Sequence, residues 1–99
     1  MPTPYYKKYK KARSVKDLKP NKPMLSWKKD KKMVVLAIKG GIQKVVHFGQ
    51  KGYEDYTMHG DKKRRANYLK RSAGIRNKKG KLTKNDKFSP NYWARKILW

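Results

Sequence analysis

The chain has no cysteine, which excludes disulfides and thiolate metal sites. Acids are scarce too: six Asp and Glu stand against 29 Lys and Arg, a formal net charge of +23. The longest apolar run, Met33 to Ile38, is far too short to span a bilayer. The charged N-terminus is not followed by an apolar stretch, so it is not expected to act as a secretory signal. Only 36% of residues are hydrophobic, against 35% charged, and few apolar side chains lie outside 33–58, 66–69 and 92–99. Ordering one backbone residue costs about 1–2 kcal/mol, whereas a buried Leu- or Phe-sized side chain returns about 1.5–3 kcal/mol. The expectation is therefore one small domain that does not enclose the whole chain. Its cationic flanks would order only where acidic groups surround them.

The charge that is present is unevenly spread. Residues 1–32 carry a net +10, residues 33–60 only +1, and residues 61–99 +12. Most of the cations are lysine, which favours general attraction to phosphate or acidic surfaces over bidentate recognition. Pro2, Pro4, Pro20 and Pro23 disfavour helix in the first flank, where Tyr5, Tyr6 and Tyr9 interleave with lysines. Residues 1–32 are read as an extended basic arm, and residues 33–99 as a small α+β domain.

Within that domain, two β-branched runs meet at Gly40-Gly41, a β-hairpin signal because primed turns need positive φ. The two-residue turn sets Ile38 opposite Gln43, Leu36 opposite Val45 and Val34 opposite His47. On the other face Val35 meets Val46 and Met33 meets Phe48. Both faces are partly apolar, so one is expected to bury against the C-terminal part. The other needs a partner or the following loop. Gly49 and Gly52 are bend positions. Asp61 is a helix N-cap, and a basic helix is predicted over about 62–73. Its inner face holds Ala66, Leu69 and Ala73, and Gly74 ends it. Residues 74–88 read as a basic loop. Ser89-Pro90 starts a short C-terminal helix, whose aromatics are expected to close on the hairpin.

Enzymatic chemistry finds little support. His47, Asp55, His59 and Asp61 fall within 15 positions, yet no pair has the helical spacing of a zinc hydrolase. Ser14, Ser26, Ser72 and Ser89 have no base nearby in sequence, and the glycine pairs lack a phosphate-loop context. The expectation is no catalytic site, no metal and no cofactor. Asp55 is expected to pair with a Lys or Arg of the flanks, or to hold a turn. The residues expected to contact nucleic acid or acidic surfaces are Lys7, Lys8, Lys10, Lys11, Arg13, Lys62, Lys63, Arg64, Arg65, Lys70, Arg71, Arg76, Lys78 and Lys79. Tyr5, Tyr6, Tyr9, Trp27, Trp93 and Trp99 are the expected anchoring aromatics.

The motif His47-Phe48-Gly49-x-Lys51-Gly52-Tyr53-x-Asp55-Tyr56-Thr57-x-His59, then Arg64, Tyr68 and Arg71, and a tail with Trp93, Leu98 and Trp99, resembles a small basic family met in large DNA viruses and tailed phages. The resemblance covers roughly residues 33–99. It departs at Ser72, where the family pattern has a histidine soon after the helix arginine. It supplies no established activity. It implies a viral or phage origin, and with it a structural protein of a DNA virus particle at the capsid or portal vertex. The expected location is the virion. Such a protein would contact capsid or portal proteins, packaged DNA, or both, without a membrane. The alternative is a non-virion protein that binds nucleic acid through phosphate without sequence preference. A ribosomal-type RNA binder shares the composition.

Overall fold

The structure, a computed structural model, describes residues 3–99; the expectation at Pro2 lies outside them. It holds three strands, β1 (Met24–Leu25), β2 (Lys31–Lys39) and β3 (Ile42–Gln50), in one antiparallel sheet of order β1-β2-β3. Four short helices accompany it: α1 (Tyr5–Lys8), α2 (Tyr56–His59), α3 (Lys62–Ser72) and α4 (Pro90–Trp93), the last running into a π-helical turn over Ala94–Leu98. The α+β class follows from this mixture. Gly40 and Gly41 have φ of 57° and 79°, the left-handed region a two-residue hairpin turn needs. The resulting register pairs Val34 with His47, Leu36 with Val45, Ile38 with Gln43, Val35 with Val46 and Met33 with Phe48.

Period-2 alternation gives the sheet two apolar faces. On one, Met33, Val35, Ala37, Val46 and Phe48 pack with Trp93, Ala94, Leu98 and Tyr5. Trp93 lies face-to-face with Phe48 at 6.4 Å, and its indole N–H donates to the Lys87 carbonyl at 2.8 Å. On the other face Val34 packs with buried Ala12 and Leu18, beside partly buried Met24, Trp27, Leu36 and Val45.

That second face is closed by residues expected to form a separate extended arm. The chain enters with α1 and Tyr5 on the first face. It then lays Lys11 beside Leu25, with Leu25 N–H donating to Lys10 C=O at 2.8 Å and Ala12 N–H to Leu25 C=O at 2.9 Å. Farther on, Asn21 N–H donates to the Leu36 carbonyl at 2.8 Å and Asn21 Oδ1 accepts from Ile38 N–H at 3.1 Å. The expected boundary between residues 32 and 33 falls inside β2. The physical reason is that a strand pair with two apolar faces needs two covers. Residues 12–27 supply the second through Ala12, Leu18, Met24 and Trp27. The radius of gyration, 13.4 Å, is that of a fully compact chain of this length, about 13 Å for 100 residues.

Local end signals hold at both later helices. Asp61 Oδ1 accepts from Lys63 N–H at 2.9 Å and Arg64 N–H at 3.3 Å, capping α3. Ser89 Oγ accepts from Asn91 N–H at 3.2 Å with Pro90 in the first helical turn. Two details differ from expectation. Ala66 is exposed, so the inner stripe of α3 runs through Tyr68, Leu69, Ser72 and Ala73, with Ser72 its buried residue. Gly74 is not in the left-handed region, and Ala73 ends the helix in right-handed geometry.

Candidate nucleic-acid interface

Helix α3 is held to the body by its ends and by one aromatic contact, so most of its cations stay outside. Tyr68 stacks on Trp99 at 4.1 Å and 11°. Burial raises the Tyr68 phenol pKa, against the opposing influence of Arg95 and Arg71, so the ring remains neutral. Arg65 Nε donates to the Trp99 carbonyl at 2.7 Å, and its guanidinium lies 5.0 Å from the Tyr56 ring centroid. At the C-terminal end, Arg95 Nη1 donates to Ser72 Oγ at 2.6 Å and to the Leu69 carbonyl. Asn91 Nδ2 donates to the Ser72 carbonyl at 2.9 Å. Ser72 is thus a buried fastening point for the helix.

Between α3, the end of β3 and the C-terminal turn lies a cleft of about 620 Å³. Arg64, Asn67 and Arg71 line it from α3. Their i, i+3, i+7 spacing puts them on one helix face, with the two guanidinium-bearing positions about 10 Å apart along the axis. Tyr68, Trp99, Asn91 and Gln50 continue the wall, and Tyr53, 68% exposed, stands at the rim. The lining also includes Lys32 and Asp55, joined at 2.7 Å with side chains 4% and 2% exposed. Lys32 Nζ also donates to the Tyr53 carbonyl and sits 5.4 Å from the Tyr5 ring centroid. Thr57 Oγ1 donates to Asp55 Oδ1 and accepts Tyr5 N–H at 3.2 Å. The Tyr5 phenol pKa is raised by burial first, then by Asp55 and Tyr6.

Gly49 makes this arrangement possible. Its φ is 76°, and a Cβ there would stand 2.6 Å from Leu98 Cδ1 and 3.1 Å from Lys32 Cβ. Only glycine accepts both the backbone angle and the close approach.

All fourteen cations of the expected contact set are exposed. The fold divides them among three places. Lys7, Lys8, Lys10, Lys11 and Arg13 follow the N-terminal segment; Lys62, Lys63, Arg64, Arg65, Lys70 and Arg71 cover α3; Arg76, Lys78 and Lys79 sit on the 74–88 loop. Arg76 and Lys79 share a shallow groove with Lys39 and Lys81. The expected anchoring aromatics are placed differently. Tyr5 and Trp93 are buried core residues, Tyr9 and Trp99 pack against that core, and Trp27 packs against the second face. Of the six, Tyr6 is the one with a largely exposed side chain, at 51%. A chain this poor in apolar residues spends its aromatics on its own closure.

The candidate metal-ligating residues each have a structural partner. His47 Nδ1 bonds Ser26 Oγ at 2.8 Å, with the ring edge-on to Trp27 at 4.8 Å. Burial lowers the His47 pKa, helped by Lys28 and Lys31 and opposed by Asp30. His59 Nδ1 accepts from Asp61 N–H at 2.9 Å. Its Nε2 is buried with no hydrogen-bond partner among the described residues. Asp55 pairs with Lys32, and Asp61 caps α3. Among the described residues no three His, Asp or Glu side chains converge as a metal site would need. No helix of these residues is long and apolar enough to cross a membrane.

Sequence reasoning missed Lys32, Asn67, Tyr68 and Asn91 as cleft residues. The i, i+7 spacing of Arg64 and Arg71 was the available signal for the α3 wall. Lys32 offered none, because a lysine at a strand start reads as solvated.

Residues 24–72 match the model of a family of unknown function, DUF5754. The chain is similar to DUF5754 over just under half its length, from β1 through the end of α3. The DUF5754-like segment contains Lys32, Gly49, Asp55, Arg64 and Arg71. It leaves outside the match both the N-terminal cover and the C-terminal aromatics that complete the cleft. No curated protein and no solved structure matches the chain.

Proposed function

We propose that the protein binds nucleic acid through its phosphates, without sequence preference, on the face built by α3 and the cleft. One observation carries the reading. Among the described residues, two carboxylate ion pairs are found, Lys32–Asp55 and the exposed Arg64–Glu54 at 3.6 Å, in a chain with 29 Lys and Arg. Among the described residues the remaining cations have no carboxylate partner. A folded surface that holds so many at fixed positions suits a polyanion, whose condensed counterions are released on binding. Arg64, Lys63, Lys70 and Arg71 would track the backbone, and Tyr53 at the cleft rim offers a face on which an unpaired base can stack.

Fluorescence anisotropy with a short single-stranded oligonucleotide tests this. Affinity is expected to fall steeply and linearly in log–log form as salt rises. Arg64→Ala and Arg71→Ala should each flatten the slope by about 1. Tyr53→Ala should weaken binding by about 1–3 kcal/mol and leave the slope unchanged. Binding that is absent at low salt, or indifferent to salt, defeats the proposal.

A second reading is a structural component of a DNA phage or virus particle, at the capsid or portal vertex, facing acidic protein surfaces. The observation that favours it is the unpaired outer edge of β3, whose Gln43, Val45 and His47 backbone groups have no hydrogen-bond partner among the described residues. Mass spectrometry of purified particles should then find the chain at fixed stoichiometry, retained after nuclease treatment. Its absence from the particles ends that reading.

A further inference from the structure

The two edges of the sheet are treated differently by the rest of the chain. In a two-residue hairpin the residues flanking the turn exchange both hydrogen bonds, and bonded pairs then alternate along the strands. Lys39–Ile42, Ala37–Lys44, Val35–Val46 and Met33–Phe48 are therefore the bonded pairs. On β2, the groups pointing the other way are engaged. Lys32 C=O accepts from Ser26 N–H at 3.1 Å, Val34 pairs with Met24, and Leu36 C=O accepts from Asn21 N–H at 2.8 Å. Ile38 N–H donates to Asn21 Oδ1 at 3.1 Å, and Ile38 C=O accepts from Lys87 Nζ at 3.0 Å. On β3, the outward groups belong to Gln43, Val45 and His47, and no hydrogen bond reaches them among the described residues. Neither proline nor a bulge interrupts the register from Ile42 to Phe48.

We propose that the outer edge of β3 is a docking site for an extended acidic segment of a partner protein, which adds as a fourth strand. An open edge offers main-chain donors and acceptors to any extended chain, so charge must choose the occupant. Ile42 is 63% exposed and Lys44 beside it is exposed. At the other end, Ser26 Oγ bonds His47 Nδ1 and accepts Lys28 N–H at 3.0 Å, which sets exposed Lys28 beside the strand, and Lys31 pairs with Gln50 at its end, with Asp30 between the two in sequence. A second copy would bring the same lysines against these, on a molecule that already carries +23. Lysine on an edge is a recognised guard against self-pairing. A strand with alternating Glu side chains meets the same lysines favourably, and it needs only about six residues, or roughly 20 Å, to match the edge. This inference does not depend on the nucleic-acid reading, which concerns α3 and the cleft.

The test uses the full chain labelled with nitrogen-15 and a heptapeptide of alternating Glu with Thr or Val, at low ionic strength. Amide exchange at Gln43, Val45 and His47 is expected to slow about tenfold or more at saturation, while the exposed amides of α3 keep their rates. The same peptide with alternate backbone nitrogens methylated, and one with Lys in place of Glu, should leave the three rates unchanged. Gln43→Pro removes one outward N–H and leaves the β2–β3 ladder whole. It should weaken the peptide effect at Val45, with Lys44 and Val46 still protected. Three results would overturn the proposal: no slowing with the acidic peptide, equal slowing with either control peptide, or slowing that grows with protein concentration alone. The last would assign the edge to a second copy.

Discussion

Asp55→Ala is expected to lower stability by about 3–5 kcal/mol, because it leaves the Lys32 ammonium buried without its counter-charge. The loss is large against the 5–15 kcal/mol of a typical domain. Lys32 cannot retreat to water: its side chain is 4% exposed, under Tyr5 and beside the Tyr53 carbonyl. The substitution also removes the acceptor of Thr57 Oγ1, which in turn accepts Tyr5 N–H. The N-terminal helix should therefore loosen with the loop. Urea unfolding followed by tryptophan fluorescence measures the change. Replacing both partners with apolar residues, Lys32→Met with Asp55→Leu, should destabilise less than Asp55→Ala alone, since no charge is then stranded. A single-variant loss below about 1 kcal/mol, the size of an exposed pair, would show that the ion pair is not sealed from water.

Leu18→Ala should cost about 2–4 kcal/mol, within the range for deleting a buried leucine side chain. Leu18 is 8% exposed and packs with Ala12 and Val34 on the second face of the sheet. Val15, three residues earlier and 51% exposed, is the matched control. Val15→Ala should stay within about 0.5 kcal/mol. If residues 3–22 were an arm independent of the domain, the two substitutions would be alike and the unfolding midpoint would move for neither. The same unfolding curves decide it, with an unchanged m-value showing that the amount of structure lost is the same.

The folded N-terminal segment shows where sequence reasoning stopped. Within residues 1–27, Tyr5, Ala12, Leu18, Met24, Leu25 and Trp27 are spread among eight cations and four prolines, with no period of 2 or 3.6 to tie them together. Each is placed by pairing with, or packing on, strands formed later in the chain, so no local pattern announces it. The candidate site was half legible for the same reason. Arg64 and Arg71 share a face by helical spacing alone. Their cleft exists only because Trp99 arrives from the far end of the chain to stack on Tyr68, and because Lys32 and Leu98 cross over Gly49.

What the sequence by itself determined are features enclosed within a few residues. The Gly40-Gly41 turn sets the register of every β2–β3 pair, since two residues at positive φ admit one hairpin geometry. Asp61 and Ser89 start their helices through hydrogen bonds two or three positions away. The +23 charge and the absence of cysteine bound the chemistry before any fold is known. Tertiary structure alone decided the rest: that residues 12–27 cover the second face of the hairpin while Tyr5 joins the first, that Lys32 is buried against Asp55, and which edge of the sheet is left open. Those outcomes depend on desolvation and on contacts between residues far apart in sequence, such as Lys32 with Asp55, 23 positions apart, and Tyr5 with Thr57, 52 positions apart. Such contacts leave no periodic trace in the chain, because their energy arises only once the partner surface is in place.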